Sequence, residues 1–259
     1  MFSNLPQVTK NILLLNITMF VAKLVLETQG IDLNSTLGAH YVNSPLFEPF
    51  QVVTYFFMHG DFFHILMNMW IFVMLGTYLE RLWGPKRFFI FYIITAIGAF
   101  AVYNTIGAYH LYELKQQLNA HFPIEDYNSL IQNYKNESPN YMFEKLNELF
   151  NKHHLPNSLS SVFVDYYYYS RASMVGASGA IFGIVSAFAI LFPNTEFLVY
   201  FTIPVKAKYL AIGYFLLELY LSFQNNPSDN VAHLAHVGGA IVGAIIVLIW
   251  RKTDRLNFW

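Results

Sequence analysis

The sequence predicts an all-α integral membrane protein, a bundle of six transmembrane helices with a polar insertion between the third and fourth spans. Three observations predict it. Apolar residues make up 55% of the chain and charged residues only 12%, about half the charged share of a soluble domain. Mean hydropathy is +0.38, and a soluble chain of this length needs a charged surface that this one cannot supply. Apolar stretches approaching the roughly 20 residues that cross a bilayer core recur along the chain, and a single long polar stretch separates them.

The spans read as 10–28, 62–80, 88–108, 174–192, 204–223 and 231–250. Lys23 lies near one end of the first, where its stem can snorkel to the interface. The second is weakened by His64 and Asn68. Lys and Arg placement sets the orientation. Nine of the 15 basic residues fall on one side: Lys10, Arg81, Lys86, Arg87, Lys206, Lys208, Arg251, Lys252 and Arg255, whereas segments 29–60 and 224–230 hold none. Both termini are therefore expected in the cytoplasm and residues 109–172 outside it. The first apolar stretch reads as a retained span, and nothing resembles a transit peptide, so the expected location is the plasma (inner) membrane, multi-pass. The whole of 1–259 reads as one membrane domain carrying the 109–172 insertion.

That insertion is a break in composition. Residues 110–172 hold seven of the 16 acids (Glu113, Glu125, Asp126, Glu137, Glu144, Glu148, Asp165), punctuated by Pro123, Pro139 and Pro156. Apolar residues at helical spacing over 110–119, 125–135 and 140–152 predict two or three short amphipathic helices on the outer face of the bundle.

Several classes of chemistry are excluded. A net charge of −1 leaves no basic surplus for phosphates, so no nucleic-acid partner is expected. The absence of cysteine removes disulfides, thiolate metal sites and cysteine nucleophiles. No metal and no cofactor is expected: His233, His236, His59 and His64 have the residue type for zinc, but there is no H-E-x-x-H.

Ionisable and polar groups inside membrane helices are costly and mark function. His64 and Asn68, four apart in the second span, share a helix face. Gly176-Ala177-Ser178-Gly179 opens the fourth span, with Phe182 and Gly183 following. Ala232-His233 and Ala235-His236 open the sixth, followed by Gly239 and Gly243. By the expected orientation all three clusters lie towards the outer ends of their helices, at one depth. Gly179/Gly183 and Gly239/Gly243 are small-residue pairs that let two helices pack closely, which would bring Ser178 to a histidine at hydrogen-bond range. This is not the G-x-S-x-G elbow of soluble hydrolases, because Ala180 stands second after the serine. A lone membrane serine is more often a packing residue; the three clusters together change that balance.

In these motifs the chain resembles the rhomboid family of intramembrane serine proteases over nearly all of the six-helix core. The family's H-x-x-x-N, G-x-S-G and A-H-x-x-G-x-x-x-G motifs match His64 with Asn68, Gly176 to Gly179, and Ala235-His236 with Gly239 and Gly243. Gly76-x-x-x-Glu80-x-x-x-Gly84 resembles a further structural signature. The resemblance implies Ser178 as nucleophile, His236 as general base and then acid, and His64, Asn68 and the Ser178 N–H as oxyanion donors. It implies an aromatic, Phe182, stacked on the catalytic imidazole. It also implies a Ser-His dyad, which suits a chain whose only acids in the spans after the first are Glu80 and Glu218; Asp229, seven residues before His236, is not recruited. The implied substrates are single-span membrane proteins cut near the outer face of the lipid bilayer. Two departures stand out. The aromatic loop with Phe47, Phe50, Tyr55, Phe56 and Phe57 lacks the Trp-Arg pair frequent in the family, and the 110–172 insertion is long. A catalytically inactive relative that binds membrane clients would have lost Ser178 or His236, and a transporter would lean on broken helices and inward charges.

Overall fold

A computed structural model of the chain describes residues 4–135, 137–199, 202–224 and 231–253. Asp229 and the loop around it lie outside them. The protein is predominantly helical, with two small antiparallel strand pairs at its edges.

Helix α1 (Gln7–Glu27) starts on a carboxylate from elsewhere in the chain. Glu80 accepts hydrogen bonds from the Val8 and Thr9 N–H groups at 2.9 and 2.7 Å and from the Thr9 hydroxyl at 2.7 Å, satisfying donors that an isolated helix start leaves open and placing negative charge at the positive end of its dipole. Lys23, expected to snorkel, is instead turned inward at 5% exposure. Its Nζ donates to the Gly60 carbonyl at 2.7 Å and pairs with Glu27 at 3.0 Å.

The short helix α2 (Leu33–Leu37), strand β1 (Ala39–His40), helix α3 (Gln51–Thr54) and a 3-10 turn (Tyr55–Phe57) form the aromatic loop. Then α4 (Phe62–Ile71), a π turn at Phe72–Gly76 and α5 (Thr77–Trp83) make one apolar rod from Phe62 to Trp83. Gly84, at φ +78°, breaks it, and Pro85 opens α6 at the position where its missing N–H costs nothing.

Helix α6 (Pro85–Asn119) continues past 108, where the expected span ends. At 1.5 Å per residue it is about 52 Å long, so it outruns a bilayer core and absorbs the separate helix expected at 110–119. The other insertion helices are α7 (Ile124–Asn133), α8 (Pro139–Lys152) and α9 (Ser160–Arg171). They bury Tyr127, Ile131, Met142, Leu146, Phe163 and Tyr166 among themselves and α6, and tie to the aromatic loop through Ser44 Oγ to the Ser170 carbonyl and Gln132 to the Pro45 carbonyl.

The fourth apolar stretch begins later than 174 because residues there take another path. Strand β2 (Ser173–Met174) pairs with β1, Gly176 turns at φ +121°, and only then does α10 (Ser178–Leu191) begin. A hairpin of β3 (Glu196–Val199) and β4 (Ile203–Lys206) leads to α11 (Ala207–Gln224), and α12 (His233–Thr253) ends the described chain. Among the described residues four helical stretches are long and apolar enough to cross a membrane: Gln7–Glu27, Phe62–Trp83, Pro85–Asn119 and His233–Thr253. Large apolar side chains such as Phe63, Trp70, Leu216 and Leu248 face outward, a surface suited to lipid and not to water.

Candidate active site

Ser178 is the first residue of α10, so its N–H belongs to the set without an intrahelical partner. His236 sits in the first turn of α12. The two helices cross on glycine. A Cβ at Gly239 would collide with the Gly179 carbonyl, and one at Gly243 would lie 2.6 Å from the Gly183 Cα. With backbone against backbone, the heads of the helices come close enough for His236 Nε2 to stand 2.8 Å from Ser178 Oγ. Phe182, one turn below the serine, stacks on the His236 ring at 4.4 Å between centroids and 11° between planes, which fixes the ring's tilt.

The second face of the site comes from α4. The Gly60 N–H donates to His64 Nδ1 at 3.3 Å, so Nδ1 is the acceptor and Nε2 carries the proton. That Nε2 borders the serine: a Cβ on Gly176 would lie 2.8 Å from it and 3.5 Å from Ser178 Oγ. Gly176 therefore meets two demands, a positive φ and room for the His64 ring. Asn68 is 7% exposed, and its Nδ2 has no hydrogen-bond partner. A buried amide donor without a partner is expensive, and a developing oxyanion is a ligand that would use it.

The arrangement is that of a hydroxyl held by an imidazole nitrogen, with N–H donors from two helices beside it. Such a group can lose its proton to the imidazole, attack a carbonyl carbon, and leave the resulting oxyanion among donors. Eight of the nine residues singled out for the site come together here: Ser178, His236 and His64 as polar groups, Phe182 as a stacking ring, and Gly176, Gly179, Gly239 and Gly243 as the places where the chain approaches itself; Asn68 lies one turn after His64 on α4.

Residues 47–112 and 154–253 match the family model described as the Rhomboid domain. The chain belongs to the rhomboid family. This rhomboid also resembles an uncharacterized rhomboid protein of Schizosaccharomyces pombe, named as mitochondrial, with 36% identity over 85 residues. The alignment covers 30% of the chain and 22% of the yeast protein, so the chain spans less than a quarter of that relative's length. Family membership and the four long apolar helices together indicate an integral membrane protein. The two matched blocks leave out residues 113–153, the far end of α6 with α7 and α8.

Two residues near the rhomboid's site were not singled out from the sequence for it. His59, wholly buried, packs edge-on against His64 at 5.0 Å; it lies in a loop, where no periodicity flags it. Glu218 of α11 places Oε2 2.5 Å from His233 Nδ1 and 2.9 Å from His236 Nδ1. The first is an aligned hydrogen bond; in the second the Nδ1–H direction is bent off the line to the oxygen. The histidine bonded to Ser178 is His236, while His233 bonds Glu218. Among the described residues Glu218, His233 and His236 offer ligand atoms within 4.8 Å of one another, a donor set of the kind that takes a divalent cation, although one carboxylate oxygen already bridges the two imidazoles.

Proposed function

We propose that this rhomboid is an intramembrane serine endopeptidase that cuts single-span membrane proteins near the outer membrane face. The observation that carries the reading is the 2.8 Å approach of His236 Nε2 to Ser178 Oγ, at the head of a helix and with His64 Nε2 bordering the same glycine turn. His236 takes the serine proton as Oγ attacks the scissile carbonyl. The oxyanion accepts from the Ser178 N–H, His64 Nε2–H and Asn68 Nδ2. His236 then passes the proton to the leaving amine, and water repeats the sequence to free the acid product. No metal or cofactor enters these steps.

The same reading makes α10 and α11 the remaining spans, giving six, in one membrane domain over 1–259. It puts both termini in the cytoplasm and 109–172 outside, on the strength of the Lys and Arg distribution, in a plasma (inner) membrane.

Incubating the detergent-purified protein with a fluorescent fluorophosphonate and a generic single-span substrate tests the chemistry. Wild type should label and cleave, while Ser178→Ala and His236→Ala should do neither, although each remains folded; members of such a unit fail about as badly singly as together. Near-normal cleavage by Ser178→Ala would overturn the mechanism, and a well-folded wild type that binds clients without labelling would favour an inactive relative.

A further inference from the structure

Helix α11 turns almost nothing inward. Among its residues only Ala207 and Glu218 are buried, while Ile212, Leu216, Leu217 and Tyr220 face out. A carboxylate is therefore the one ionisable group that this helix directs into the bundle, and a buried charge is retained only when partners meet it. Its partners are the two imidazoles of α12, both reached by the same oxygen, and one of them is the imidazole that faces Ser178.

We propose that Glu218 is a positioning residue for His236: it holds the proton on Nδ1, leaves Nε2 bare for the serine, and shares its charge with the imidazolium formed during attack, with His233 steadying the carboxylate. This rests on the endopeptidase reading above. A neutral imidazole has one N–H, and which nitrogen bears it is set by what the other faces. A carboxylate accepts only, so Nδ1 opposite Glu218 must donate, and Nε2 becomes the acceptor that the Ser178 hydroxyl requires. During attack the serine proton moves to Nε2 while the Nδ1 proton stays in place, and Glu218 remains ionised throughout. The 2.9 Å contact is bent in the resting protein; contacts of this kind tighten once the imidazole carries charge and substrate is bound. The aligned 2.5 Å bond from His233 keeps the carboxylate from turning to solvent. The arrangement converts an expected dyad into three groups on three helices, α10, α12 and α11.

The test uses the full chain in detergent and a fluorophosphonate, which needs no knowledge of the natural substrate. Saturable labelling separates the maximal rate at Ser178 from the probe's apparent affinity. In Glu218→Gln the amide can present its NH2 to Nδ1 and trap the wrong tautomer, a change that costs about 10⁴-fold in a soluble triad. The expected result here is a fall of at least tenfold in maximal rate, with affinity within about threefold of wild type. A maximal rate within about threefold of wild type, while Ser178→Ala is unlabelled, overturns the role of Glu218 and leaves the endopeptidase reading intact. Labelling of Ser178→Ala at the wild-type rate would instead sink that reading. Should Glu218→Gln fail to fold, histidine-15N NMR of the wild type decides: with the His236 signals identified by their loss in His236→Ala, a protonated Nδ1 supports the proposal and a protonated Nε2 overturns it.

Discussion

Asn68 Nδ2 and His64 Nε2 are donors that the resting protein does not use for its own cohesion, and the two differ in how they are held. Asn68 lies on the buried side of α4, while the His64 ring is braced by the Gly60 N–H, itself part of a residue whose carbonyl is gripped by Lys23. Removing one oxyanion donor typically costs roughly 2.7–4 kcal/mol of transition-state stabilisation, about 10²–10³ in turnover. Asn68→Ala and His64→Ala are each expected to lower kcat on that scale with little change in melting temperature, the Ser178 N–H partly compensating. Turnover within a few-fold of wild type in both folded variants would remove their oxyanion role. A second residue-level expectation concerns His40, buried in the aromatic loop with its ring nitrogens 3.0 Å from the Ser35 and Ala172 carbonyls. Burial lowers its pKa below the usual 6.5, outweighing those two carbonyls, which favour the charged ring; Arg171 and Lys135 lower it further. The folded protein then binds fewer protons than the unfolded chain, so the stability His40 contributes is present above 6.5 and lost as pH falls through 6.5 towards the lower folded value. One such group costs at most about 1.4 kcal/mol per pH unit. The melting temperature should drop between pH 7.5 and 5, and His40→Gln should flatten that slope; an identical slope in the variant would show that His40 is not responsible.

Among the elements, α10 and α12 matter most, and what joins them is the absence of side chains. At Gly239 a methyl group would meet the Gly179 backbone, which cannot move aside as a flexible side chain can. Gly239→Ala should push the two helices apart, lengthen the Ser178–His236 approach and abolish fluorophosphonate labelling. The overpacking itself should cost about 1–3 kcal/mol. Gly213→Ala on α11, with nothing within 4 Å of the added atom, is the control and should label normally. Wild-type labelling in Gly239→Ala would mean that the seam does not set the site. This seam was legible in the sequence because glycines four apart in two apolar stretches carry their own geometry. The partner of α11 was not. That helix is apolar on nearly every side, so hydropathy assigns it no inward face, and only packing reveals that Glu218 turns towards α12. Helix α9 escaped for a related reason: Tyr166 to Tyr169 and the β-branched Val162 and Val164 do not spell a helical period, and tertiary burial of Phe163, Tyr166 and Tyr167 holds the segment helical.

At the scale of the whole molecule, the order of apolar stretches and the serine, histidine and asparagine positions could be read from the chain, because membrane helices advertise themselves by length and by the polar groups they tolerate. The far end of α6 could not, since the polar onset after Tyr109 reads as the end of an apolar span, while the helix itself continues to Asn119. Sidedness is open to direct measurement, the chain having no cysteine. Asn151→Cys, at an exposed position of α8, should react with an impermeant maleimide in intact cells. Reaction only after permeabilisation would reverse the topology.

Helix α10 spans 14 residues, about 21 Å at 1.5 Å per residue, against a hydrocarbon core of roughly 30 Å. If α10 is a span, as proposed above, it falls short by about 9 Å, and the proposed site at its Ser178 end would lie below the level of its longer neighbours. The proposed hydrolysis would consume one water for every bond cut, and that water would have to descend to that depth. On that reading the polar groups of His64 and Asn68 would serve the incoming water as well as the oxyanion, on a helix whose Phe63 and Trp70 face outward.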